Sequence, residues 1–132
     1  MSLSVINDAQ SASDANLLIS SSIISLDRID PVNKTGAFTV GSGFDVYIVN
    51  GSGVTADVAV TLPPAPLNVG RILHFKNQNA TYNIVSAAAD VCLRNSATPA
   101  AAGTAFVANV NGHSATLISN GVYWYSMRHA NF

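Results

Sequence analysis

Glutamate is absent from these 132 residues, and charged side chains of every kind make up only 10% of the chain. An average soluble domain carries about 25%. All seven acidic residues are therefore Asp, most of them flanking turns, and the paired carboxylates needed for glycoside cleavage find no support. A net charge of -1 supplies no basic patch for nucleic acid. The lone Cys92 excludes an intrachain disulfide; with only Arg94 as a nearby cation, it reads as a small buried hydrophobe rather than a reactive thiol. No apolar run approaches the roughly 18 residues that span a bilayer, so no membrane partner is expected. The opening MSLSVINDAQ lacks the basic start of a secretory signal, and the sequons at Asn33, Asn50 and Asn79 read as chance matches. His74, His113 and His129 show no metal-ligand spacing, and no GxSxG elbow is present. The reading predicts no catalytic residues, no metal site and no cofactor.

What remains is apolar and turn-rich. Hydrophobic residues make up 48% of the sequence, and the polar remainder is largely Ser, Thr, Asn and Gly. So weakly charged a surface is expected to be covered in part by oligomeric contacts. From Ala37 onward the pattern is almost entirely β: short strands recur about every ten residues, separated by Gly41-Ser42-Gly43, Asn50-Gly51-Ser52-Gly53, Asn77-Gln78-Asn79, Asn111-Gly112 and Asn120-Gly121. The Asn-Gly pairs predict tight hairpins with positive φ at both central positions. The fold class expected is all-β, a sandwich or jelly-roll-like barrel over residues 37–132, with an N-terminal arm over 1–36.

Alternation assigns faces within the strands. Val54, Ala56, Val58, Val60 and Leu62 share one side of the stretch 54–62, and Leu73 and Phe75 point inward from 71–76. Between these two strands, Pro63, Pro64 and Pro66 cannot donate to a ladder, and Gly70 permits re-entry in a new direction. This break is read as a corner. The arm lacks such turn signals. Its apolar residues Leu17, Leu18, Ile19, Ile23, Ile24 and Leu26 sit among serines, fit a helical face only loosely, and are expected to contact a neighbouring subunit or a capsid. Near the C-terminus, Tyr123 and Tyr125 share one strand face and Trp124 takes the other. Trp124 is expected in the core, with the two tyrosines at a rim, at a subunit contact or as a surface for stacking sugars.

The segments VTLPPAPLNVGRILHFKNQNATYNIVSAA and SATLISNGVYWYSM resemble a pattern in virion appendage domains of tailed bacteriophages. The pattern has a strand ending in Leu-Pro, a Gly-Arg/Lys turn, a strand ending in Lys-Asn, an Asn-rich strand, and a final Ser-(Asp/Asn)-Gly followed by Trp. Leu62-Pro63, Gly70-Arg71, Lys76-Asn77, Asn83-Ile84, Ser119-Asn120-Gly121 and Trp124 occupy those positions, over about residues 38–127. Asp90-Val91-Cys92-Leu93-Arg94 replaces the usual Ile-Asp-Gly. The resemblance implies a homotrimeric β-rich virion protein without catalysis, found in tail fibres, head fibres and capsid decoration proteins. A chain of this length leaves no room for a fibre shaft, which favours a decoration (cement) protein on the capsid surface, bound to the major capsid protein. The alternative implied is a tail-fibre tip or adhesin module, with Tyr123 and Tyr125 against host glycan.

Overall fold

The computed structural model describes residues 31–130, with side chains as far as Met127. It contains ten strands: β1 (Val32–Lys34), β2 (Phe38–Thr39), β3 (Val46–Asn50), β4 (Val58–Thr61), β5 (Ile72–Gln78), β6 (Ile84–Ser86), β7 (Val91–Cys92), β8 (Ala105–Val107), β9 (Ser114–Ser119) and β10 (Trp124–Ala130). They form a six-stranded sheet in the order β1-β3-β5-β9-β10-β7 and a four-stranded sheet in the order β2-β4-β6-β8. Two short 3-10 turns, Gly51–Gly53 and Ala65–Leu67, are the only helical segments among the described residues. The all-β expectation holds for this part of the chain.

The pairing differs from the hairpins expected. The first six strands alternate between the two sheets, so β1, β3 and β5 lie parallel in one and β2, β4 and β6 lie parallel in the other. A corner that carries the chain to the opposite sheet brings strand i+2, not strand i+1, alongside strand i in the same direction. Among the described strands, only β9 and β10 are joined as a hairpin. Its loop is not the two-residue kind: Asn120 Oδ1 accepts from the amides of Val122 and Tyr123, and only Gly121 has positive φ, at +92°. Asn111-Gly112 likewise links different sheets, through a turn closed by His113 N–H donating to Val110 O.

Two boundaries shift. Val32–Lys34, assigned from sequence to the arm, forms the edge strand of the larger sheet, so the β region begins before Ala37. Asn77 and Gln78, read from sequence as part of a turn, close β5, and the turn falls at 79–83, because Asn79 Oδ1 accepts from the Thr81 and Tyr82 amides and takes them out of a ladder. Leu17, Leu18, Ile19, Ile23, Ile24 and Leu26 lie outside the described residues.

The core lies between the sheets. Tyr47, Val49, Leu73, Phe75, Leu117 and Trp124 face it from the larger sheet; Val58, Val60, Ile84, Phe106 and Val107 face it from the smaller. The period-2 burial of β5, with Leu73, Phe75 and Asn77 buried between exposed neighbours, follows from the pleat. Parallel register also stacks aromatics. Phe75 is the register partner of Tyr47, and their rings lie 5.6 Å apart at 17°; Phe38, from the smaller sheet, lies 5.0 Å from Tyr47 and 6.5 Å from Phe75, so the three rings form a triangular cluster.

Candidate contact surface

Of the residues that carry the phage-like pattern, Leu62-Pro63, Gly70-Arg71, Ser119-Asn120-Gly121 and Trp124 meet at the Pro63–Arg71 corner and the β9–β10 turn, whereas Lys76-Asn77 and Asn83-Ile84 do not. The Trp124 indole is wholly buried, and its Nε1–H donates to the Pro63 carbonyl at 2.9 Å. Ser119 Oγ donates to the Ala65 carbonyl at 2.8 Å and accepts from Gly121 N at 3.1 Å, while Gly70 N–H donates to Ser119 O at 2.8 Å. The Pro63 carbonyl and the Gly70 amide have no ladder partner, and these bonds from β9 and β10 satisfy them, while Ala65 O also accepts from Asn68 N–H within the corner. Gly70 has φ +79°, the left-handed conformation that turns the chain into β5.

Arg71 locks the preceding corner. Its Nε–H donates to Asp45 Oδ1 at 2.9 Å, and its two NH2 groups reach Asn68 Oδ1 (3.2 Å), Gly41 O (2.6 Å) and Phe44 O (2.9 Å). The Tyr47 hydroxyl reinforces the same loop, accepting from Gly41 N and donating to Phe44 O. A planar fork with five donors suits this work; an ammonium could not reach all four acceptors.

The Lys76-Asn77 end is held by amides. Asn77 is fully buried, donates through Nδ2 to Tyr82 O (2.8 Å) and Ala108 O (3.0 Å), and accepts from Asn79 N–H (3.0 Å). Asn79 Nδ2 reaches Gly51 O, and Asn83 Oδ1 accepts from Asn109 N–H. Burial of Asn79 keeps that sequon from a glycosyltransferase, whereas Asn33 and Asn50 are exposed.

Among the described residues no three His, Cys, Asp or Glu side chains gather as metal ligands. His74 is exposed, with Nδ1 3.0 Å from Thr116 Oγ1, and the ring of His113 lies in the turn before β9, at its predicted position. Cys92 is buried and unpaired, and its register partner is Tyr125. Desolvation, with the Cys92 thiol beside it, raises the Tyr125 phenol above its ordinary value. Tyr123 and Tyr125 are both half-buried, and Tyr123 adds to the rise at the Tyr125 phenol. Tyr123 lies in the turn before β10, Tyr125 lies within the larger sheet between β7 and β9, and Trp124 fills the core from the opposite face.

No protein-family model matches this chain, and no curated protein matches it. The surface itself supplies the remaining information. An open depression of about 410 Å³ on the outer side of the larger sheet is lined by Ile118, Ser119, Asn120, Tyr125 and Met127. A second, of about 430 Å³, is lined by Leu93, Arg94, Asn95 and Ser96, in the loop where the sequence leaves the phage-like pattern. The first is continuous with apolar surface that sequence reasoning missed. Ile72, Ile118 and Tyr125 form one cross-strand row, and Met127 is 63% exposed beside it. Alternation in β5 and β9 held the signal, but only register lines those residues up.

Proposed function

We propose that the protein is a capsid decoration (cement) protein of a tailed bacteriophage: a homotrimeric, non-enzymatic β-sandwich knob that binds the major capsid protein at the capsid surface and stabilises the head. The observation that carries this reading is the convergence of the pattern residues. Pro63, Gly70, Arg71, Ser119, Gly121 and Trp124, scattered over some sixty positions, form one hydrogen-bonded corner assembly. The resemblance thus rests on a set of residues that support one another, rather than on isolated matches. The weakly charged surface supports association with other protein surfaces.

The mechanism is binding alone. A trimer on a local threefold presents three identical contacts, and tethering makes the second and third nearly intramolecular, so weak contacts sum to tight attachment. Binding the assembled shell in preference to free capsomers stabilises the shell by mass action. The test is to add purified protein to undecorated heads and count bound copies, with light scattering for the free state. Tens to hundreds of copies per head and a trimer in solution are expected. A stable monomer, or no binding to heads, overturns the reading.

One observation favours a second reading, a tail-fibre tip or adhesin. Tyr125 lines the open depression, with Tyr123 nearby, an arrangement suited to stacking on a sugar ring. A few copies at the tail, and loss of glycan binding in Tyr125→Ala without loss of stability, would establish it instead.

A further inference from the structure

The row Ile72–Ile118–Tyr125 crosses the centre of the six-stranded sheet on its solvent side, and Met127 extends it. Val69 and Val122, 68% and 62% exposed, continue the apolar surface at the same end of the sheet, where Val69 Cγ2 lies 3.0 Å from the position a Cβ on Gly121 would take. Arg71, the cation adjoining the row in sequence, is already engaged by Asp45 and backbone carbonyls. Sheets of this kind normally turn polar side chains outward.

The chain enters at this end. Val32 is level with Tyr47, which is level with Phe75, so Pro31 stands beside Val46 and His74, two residues along from the level of Ile72. At about 4.8 Å per strand, β9 lies about 14 Å and β10 about 19 Å across the sheet from β1. Leu26 precedes Pro31 by five residues, a reach of about 17 Å, and Leu17 by fourteen, a reach of about 48 Å. The segment Ala15–Leu26 carries no charged residue and brings three leucines and three isoleucines. An uncharged apolar segment and an uncharged apolar row are thus tethered within span of each other, and the tether favours docking within one chain over docking between chains.

We infer that residues 17–26 dock across the outer face of the six-stranded sheet of their own chain, on the row Ile72–Ile118–Tyr125 and against Met127. The inference does not depend on the virion reading, and it stands against the adhesin reading, which needs Tyr125 open to a sugar.

The test uses the full chain with a photoreactive diazirine analogue of leucine at position 24. Cross-links mapped by mass spectrometry to peptides holding Ile72, Ile118, Tyr125 or Met127, in a product of single-chain mass, are expected. Cross-links of two-chain mass, cross-links elsewhere, or quenching by water alone overturn the inference. Tryptic cleavage gives a second measurement, because Arg28 is the only Lys or Arg before Lys34. Ile72→Asp is expected to speed cleavage at Arg28 about tenfold or more by releasing the segment. Val110→Asp, at a similarly exposed residue away from the row (41% against 44%), is expected to leave the rate unchanged. Equal rates in the two variants count against docking.

Discussion

The Trp124 indole N–H and the Pro63 carbonyl, 61 positions apart in the chain, lie 2.9 Å from each other and fasten the last strand to the proline corner between β4 and β5. The indole supplies both bulk and a donor at one place. Trp124→Phe keeps much of the bulk and leaves the carbonyl unpaired, which should cost about 1–3 kcal/mol. Trp124→Ala should cost about 3–5 kcal/mol. Urea denaturation of both variants checks the order; equal losses would mean that the hydrogen bond contributes nothing.

Two Gly-Ser-Gly triplets that look alike in sequence should respond oppositely. A Cβ on Gly51 would stand 2.4 Å from the Gln78 carbonyl oxygen, whereas one on Gly43 meets nothing within 4 Å. Gly51→Ala is expected to destabilise by about 1–3 kcal/mol through forced backbone movement. Gly43→Ala is expected to be neutral or stabilising by up to about 1 kcal/mol, by restricting the unfolded chain. Thermal melts of the pair decide the matter.

Arg71→Lys keeps the charge but not the fork that holds Asp45, Asn68, Gly41 and Phe44. A loss of about 1–3 kcal/mol is expected, with faster amide exchange over 41–45. Raised salt should restore little of the difference, because three of the four contacts are to uncharged oxygens. A fully salt-dependent loss would assign the effect to the Asp45 ion pair instead.

Asn77→Asp replaces a buried amide donor with a carboxylate facing the carbonyls of Tyr82 and Ala108. Burial and those carbonyls should raise the new group's folded pKa above the unfolded value of about 3.9. The protonated form is then the one the fold tolerates. The stability deficit should be smallest below about pH 4 and should grow as pH rises through the folded pKa. Denaturant midpoints measured from pH 3 to 8, as differences from wild type, give the profile; a flat difference refutes it.

Cys92 is buried and unpaired, so Cys92→Ser should cost about 1–3 kcal/mol by placing a hydroxyl in its site. The native thiol should react with Ellman's reagent only as fast as the protein opens. Immediate reaction in native buffer would contradict the burial.

Much of the local structure is legible in the residues themselves. Leu73, Phe75, Val58 and Val60 turn inward as alternation requires, Trp124 fills the core, and the prolines at 63, 64 and 66 make a corner. These features depend on period-2 geometry and on backbone donors, which each short stretch carries alone. Which strands pair depends on where the corners send the chain. Asn50-Gly51 and Asn111-Gly112 read as hairpin turns, yet both pass the chain from sheet to sheet; the first of these crossings lets β5 return as the parallel neighbour of β3, which sets Tyr47 against Phe75. The roles of Asn77 and Asn79 were hidden for the same reason: three of their side-chain bonds go to Gly51, Tyr82 and Ala108, two of them across 28 and 31 positions. Sequence alone determined an all-β chain with little charge, an apolar N-terminal segment and the inward face of its longer strands. Tertiary structure alone decided strand order, the close approach that demands glycine at 51, and the apolar row across the larger sheet, because each arises from register between segments far apart in the chain.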